Sequence, residues 1–167
     1  MYKQMAGAIV LSCVCATAMA GYGFEPIAAL APEAAAARAV AVGDVTGDGR
    51  DDVVLLGAGS HPFYRNRVVL YAQTAGGFAP PVAIDYHPEP TSYEAFGSGL
   101  GLADLDADAD LDIVVSHGSY PSASLTVLRN GGDGFSPSSF PVDDSLRAIK
   151  FTDVNGDGNL DLVGQPY

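Results

Sequence analysis

Cysteine is nearly absent from this sequence. Cys13 and Cys15 are the only two, and both fall within the first fifteen residues. Were that leading segment removed, no disulfide could brace the rest, and other staples would be needed, bound metal being the obvious one. Basic residues are scarce as well. Eight Lys and Arg stand against 20 Asp and Glu, a formal net charge of −12. So acidic a chain is repelled by nucleic acid and by anionic membrane, and neither is expected as a partner. Histidine is limited to His61, His87 and His117. They are scattered and read as surface or turn residues, not as a catalytic set. With no cysteine ligand past residue 15, zinc and copper sites are not indicated either. Apolar residues, by contrast, make up 48% of the chain, which argues against disorder and permits a sizeable single core.

The one long apolar run is "MAGAIVLSCVCATAMA" at the N-terminus, short for a membrane span. Lys3 precedes it, and Ala18-Met19-Ala20 fits a small-residue cleavage site before Gly21. Residues 1–20 are therefore read as an export signal, with a lipidated Cys13 in "VLSC" as the alternative. The expected location is secreted, periplasmic or cell surface, with no membrane insertion of the mature chain. Residues 21–37 form an Ala-rich N-terminal segment with at most a helical turn after Pro32.

Aspartate is what the chain has in excess. The stretch "DLDADADLD" places Asp104, Asp106, Asp108, Asp110 and Asp112 at every second position. On a strand all five carboxylates would share one face, spaced by roughly 7 Å, and no Lys or Arg lies nearby in sequence to neutralise them. The pattern recurs twice. "DVTGDGRDD" holds Asp44, Thr46, Asp48, Arg50 and Asp52 at positions 1, 3, 5, 7 and 9; "DVNGDGNLD" holds Asp153, Asn155, Asp157, Asn159 and Asp161 at the same places. Asp occupies positions 1, 5 and 9 each time, and position 3 always bears oxygen. Glycine fills positions 4 and 6 in the outer two loops, Ala107 and Ala109 in the middle one. Twelve of the 20 acidic residues lie in these loops (four, five and three in turn), so the acidity is local.

A hard cation explains such spacing. Calcium takes six to eight oxygen ligands, and a nine-residue turn can supply side chains at positions 1, 3 and 5, a backbone carbonyl at 7 and a carboxylate at 9. The candidate calcium ligands are those fifteen residues. Magnesium, which demands a tighter octahedron, is the weaker choice. An EF-hand is rejected: position 12 is Leu55, Val115 or Gly164 in place of the required Glu, and the flanks are β-like. The middle loop carries four candidate carboxylates (Asp104, Asp106, Asp108, Asp112) against three in each outer loop, which favours the ion, yet Ala109 is expected to be strained if position 6 requires φ > 0.

Around the loops the chain reads as short strands broken by Gly, Pro, Asn and Asp. A short strand ("AVAV", "GLGLA", "RAIKF") leads into each acidic loop, and a stronger one ("DVVLLG", "DIVVS", "DLVG") follows. A third ends in a Gly-rich turn ("RVVLYAQTAGGF", "SLTVLRNGGDGF"), and a weaker fourth comes next ("PVAIDYH", "FPVDD"). The loops start 60 and then 49 residues apart. Four strands at that period point to an all-β array of propeller-type blades. The units are placed at 38–91, 92–143 and, in part, 144–167, which makes two full blades and part of a third, an incomplete propeller. Tyr64, Tyr71, Tyr86 and Tyr93 are read as packing between blades before they are read as a ligand surface. "GSGLG" around Ser98 lacks the spacing of a nucleophile elbow and reads as a Gly-rich inner strand.

"FGSGLGLADLDADADLDIVV" resembles an FG-GAP repeat, with Phe96-Gly97 eight residues before Asp104. "AVAVGDVTGDGRDDVVLLGAG" resembles another, with Gly57-Ala58-Gly59 near the family's Gly-Ala-Pro, and "LRNGGDGF" resembles the related VCBS repeat. The likeness covers about residues 38–167. It departs from the family where Ala36 and Ser145 stand at the Phe position and where the middle loop lacks both glycines. The resemblance implies a β-propeller whose acidic loops bind calcium, in an extracellular binding or adhesion module. Three functions follow as expectations: a non-catalytic module contacting an extracellular protein or glycan; an accessory region of a secreted hydrolase whose catalytic domain lies outside this chain; or a structural surface element. Because the third unit stops after its second strand, the remaining blades or other copies are expected to be needed to complete the array.

Overall fold

The computed structural model describes residues 37–58, 66–86, 97–118 and 123–166. The proposed export signal, the segment before Ala37, and His61, Tyr64, His87, Tyr93, Phe96 and Gly59 lie outside the described residues.

Twelve strands account for most of what is described. β1 (Ala37–Gly43), β2 (Asp52–Ala58), β3 (Asn66–Tyr71) and β6 (Val82–Asp85) form one antiparallel sheet in the order β1-β2-β3-β6. A two-stranded ribbon of β4 (Gln73–Thr74) and β5 (Gly77–Phe78) interrupts it. β7 (Gly97–Ala103), β8 (Asp112–His117), β9 (Ser124–Asn130) and β10 (Phe135–Pro141) form a second four-stranded sheet, and β11 (Leu146–Thr152) pairs with β12 (Asp161–Pro166). The chain is all-β, built of propeller-type meander sheets, and no ring closes among the described residues. No described helix is long and apolar enough to cross a membrane.

The core follows from alternation. Side chains of a strand point to opposite faces in turn, so Val54 and Leu56 of β2 share a face with Leu70 and Val68, their cross-strand partners on β3. That face meets Leu100, Ile113, Val115 and Leu128 of the second sheet, with Tyr86 between them. Each such side chain contributes about 1.5–3 kcal/mol on full burial. β8 is buried along its whole length because both of its faces are covered. This corrects the reading of His117: it is not a surface residue but is buried on β8, its ring 5.4 Å from that of Tyr86 and its Nε2 2.7 Å from Thr126 Oγ1. Tyr86 packs between the two sheets, as expected, whereas Tyr71, buried as well, packs with Leu55, Val69, Val53 and Phe78 of its own sheet and ribbon.

The inner strands stack by size. β1 lies beside β7, and β7 beside β11. A Cβ added at Gly43 would sit 2.8 Å from Leu111 Cδ1 and 3.3 Å from Leu102 Cδ1; one at Gly101 would sit 2.8 Å from Ile149 Cγ2. Small residues on each inner strand thus receive large ones from the next. Val40 and Val42 stand at the positions of Leu100/Leu102 and Ile149/Phe151, counted back from each loop, yet they are 60% and 61% exposed.

The fourth strand of the second sheet differs from expectation. It runs from Phe135 to Pro141 and begins directly after the Gly-rich turn, where the sequence placed it at "FPVDD". Pro137 and Pro141 hide it in the sequence, but among the described strands β10 is an edge strand, paired with β9 alone, and an edge tolerates residues without an N–H.

Candidate metal centre

The three acidic loops each join an inner strand to the next strand of its sheet, and their backbones follow one plan. Positions 4 and 6 are left-handed throughout: φ is +70° and +82° at Gly47 and Gly49, +62° and +77° at Ala107 and Ala109, and +79° and +86° at Gly156 and Gly158. These kinks turn the amides inward. Asp44 Oδ1 accepts the Asp48 N–H at 3.0 Å and its Oδ2 the Gly49 N–H at 2.7 Å. Asp104 does the same for Asp108 (3.2 Å) and Ala109 (3.0 Å), and Asp153 for Asp157 (3.2 Å) and Gly158 (2.9 Å), with Gly156 added at 2.6 Å. At position 5, Asp48, Asp108 and Asp157 accept the N–H of Arg50, Asp110 and Asn159 in turn. The N–H groups of Gly158 first, then of Gly156, hold the Asp153 carboxyl below its ordinary value; that of Asn159, then the Asn155 side chain, does so for Asp157.

Position 9 is a clasp. Asp52 is fully buried; its Oδ2 accepts the Val45 and Thr46 N–H groups at 3.0 and 2.9 Å, and its Oδ1 that of Gln73 at 2.8 Å. Asp112, also fully buried, takes Leu105 at 3.2 Å and Asn130 at 2.9 Å. Asp161 takes Val154 at 2.9 Å in the more open third loop. Each carboxylate therefore ties loop to strand as well as lining the turn. A carboxylate oxygen carries two lone pairs, so an oxygen that accepts one N–H retains a second for a cation.

In the middle loop one ligand oxygen from each of Asp104, Asp106 and Asp108 lies within 4.8 Å of the other two. Two oxygens on opposite sides of one calcium ion, with bonds of about 2.4 Å, stand about that far apart, so the three fit a single ion. Asp112 is not in that group. Position 3 is placed differently in each loop: Thr46 is exposed, Asp106 pairs with Arg129, and Asn155 Oδ1 accepts the Asp157 N–H at 2.8 Å. At position 7, the Arg50 side chain folds onto Asp48 at 2.6 Å, Asp110 faces Gly47 of the first loop, and Asn159 is exposed.

Two residues at the site were invisible in the local sequence. Arg129 brings its Nη1 to 2.8 Å from Asp106 and 3.3 Å from Asp112, which supplies the positive partner the "DLDADADLD" stretch lacks in sequence. Asn130 donates through Nδ2 to the Val45 carbonyl of the first loop at 2.8 Å. The signal for Arg129 is register, since β8 pairs Ile113 with Leu128 and Asp112 therefore falls opposite Arg129; the Asn130–Val45 bond crosses between sheets and has no such signal.

A family model described as FG-GAP-like repeat matches residues 44–115 and again 104–164. No curated protein matches the chain.

Proposed function

Since the chain belongs to the FG-GAP-like repeat family, we propose that it is a secreted, non-catalytic module whose acidic loops bind calcium and whose sheets present a surface to an extracellular protein or glycan. The observation that carries the calcium part is the convergence of Asp104, Asp106 and Asp108 in a turn whose backbone recurs in three loops. The ligands would be the carboxylates at positions 1 and 5, the side-chain oxygen at position 3, the carbonyl at position 7 and the carboxylate at position 9. Oxygen donors alone suit a hard ion, and the absence of His and Cys from the loops argues against zinc. When bound, the ion would neutralise the crowded carboxylates and tie the turn to both of its strands.

The exposed Val40 and Val42 support a further part of the reading. Their counterparts Leu100 and Ile149 are buried by the neighbouring sheet, so another blade, from a longer array or another copy, would cover them. The described histidine, His117, is buried, with Nε2 2.7 Å from Thr126 Oγ1, which in turn lies 2.8 Å from Ser139 Oγ. The test is thermal. Calcium that binds only the folded state raises the melting temperature by mass action. A melting temperature that rises from EGTA to millimolar calcium, and less in magnesium, is expected; identical curves would rule the proposal out.

A further inference from the structure

Asn130 ends β9 of the second sheet, yet its side chain reaches the first loop. Its Nδ2 donates to the Val45 carbonyl at 2.8 Å and more weakly to Leu111 at 3.4 Å, while Oδ1 accepts the Gly132 N–H at 3.4 Å. Its own backbone N–H goes to Asp112 Oδ1 at 2.9 Å. Val45 lies between positions 1 and 3 of the first loop, is 3% exposed, and gives its N–H to Asp52. A continuous path of buried hydrogen bonds therefore runs from Asp112, which closes the second loop, through Asn130 and Val45 to Asp52, which closes the first. From this path we infer that Asn130 is a positioning residue through which the second loop sets the shape of the first, and so its affinity for a cation; the affinity part rests on the calcium reading above.

The surroundings make this bond matter. Val45 is buried in the core that the two sheets share, and an open pocket of about 200 Å3 lined by Val45, Thr46 and Asp110 among others lies beside it, so the Asn130 bond adds a directional tie to that packing. Moving Val45 moves Asp44 and Thr46 with it, both candidate ligands. Gln73 occupies the matching place in the first sheet, where its N–H meets Asp52 as that of Asn130 meets Asp112. The step from one loop to the next is made by the Asn130 side chain.

A double-mutant cycle followed by NMR tests the inference on the whole chain, with calcium as the probe and the Gly49 and Ala109 amides reporting the two loops. Asp106→Ala disables the second loop without removing a carboxylate that holds backbone amides. In the parent chain it is expected to weaken calcium binding at the first loop about fivefold, on the order of one buried hydrogen bond. In Asn130→Ala the first loop is already weaker, and Asp106→Ala adds nothing. Equal weakening in both backgrounds would mean that the loops communicate by charge across the Asp110–Gly47 approach, and it overturns the inference, as does no effect in either. A readout without the ion separates this from the calcium proposal. In EGTA, Asn130→Ala is expected to speed amide exchange at Val45 and Thr46 and to leave Gly158 in the third loop unchanged. If calcium moves no amide while this exchange rises, the calcium reading fails and the bridge stands; unchanged exchange at Val45 and Thr46 sinks the bridge itself.

Discussion

Replacing Ala107 and Ala109 by glycine should stabilise the protein. Both residues are left-handed, at φ +62° and +77°, where the outer loops use glycine. An L-residue pays about 1–2 kcal/mol in that region, because its Cβ crowds its own backbone. The cost is torsional: at the matching Gly49, Gly156 and Gly158 an added Cβ meets nothing within 4 Å. Glycine gives back part of the gain, since it frees the unfolded chain by about 0.4–1 kcal/mol. The net is about 0.5–1 kcal/mol for each residue and roughly 1–2 kcal/mol for Ala107→Gly/Ala109→Gly, less any coupling between two positions in one turn. For a chain of this size that corresponds to a rise of roughly 2–8 °C in melting temperature, read by differential scanning calorimetry. The left-handed turn is present without the ion, so the same substitutions should stabilise the free and ion-bound loop alike and leave calcium affinity at the middle loop little changed. The reciprocal Gly49→Ala should lower the melting temperature. A double variant that melts at or below the parent, beside a neutral Gly49→Ala, would refute the reasoning.

Gly101→Ala places a Cβ 2.8 Å from Ile149 Cγ2 and 2.9 Å from the Phe151 ring, and should cost about 1–3 kcal/mol in urea titration, whereas Gly131→Ala, with nothing within 4 Å, should be neutral. Asp112→Ala orphans the N–H groups of Leu105 and the buried Asn130 and is expected to cost about 2–5 kcal/mol; Asp161→Ala, which releases only Val154 at an exposed site, should cost about 1 kcal/mol by the same assay. Acid should act on the third loop late. The carboxyls of Asp153 and Asp157 are lowered in the folded state, so their contribution is present above the ordinary value of 3.8 and is lost as pH falls through the lower folded values. NMR titration of the two carboxyl carbons should give midpoints below 3.8, and midpoints at or above it would contradict the hydrogen-bond wiring.

Most of the architecture was legible because it is written locally. The runs at 52–57 and 112–116 are short, continuous aliphatic stretches rich in β-branched residues and bounded by turn residues, as strands covered on both faces are, and the glycines at positions 4 and 6 announce left-handed turns. The strain at Ala109 followed from comparing three copies of one turn. What stayed hidden depends on which strands meet. "FSPSSFP" looks like a loop until its place at a sheet edge removes the penalty for proline. His117 looks exposed until β8 is seen to be covered on both faces. Arg129 lies 17 residues beyond Asp112 in sequence and opposite it in the sheet, and Asn130 is 85 residues from Val45. The carboxylates at position 9 were read as ligands alone; their second role, clasping backbone amides, emerges only when the partner strands are in place.

Whether these loops are cation sites is decided by calcium titration calorimetry on the whole chain, with the triple variant Asp44→Asn/Asp104→Asn/Asp153→Asn as control. Expected are binding by the parent chain with Kd on the order of 10⁻⁴–10⁻³ M, weaker binding of magnesium, and loss of the calcium signal in a triple variant that still folds. Heat of binding that is absent from the parent, or that persists undiminished in the triple variant, would contradict the reading of these loops as cation sites.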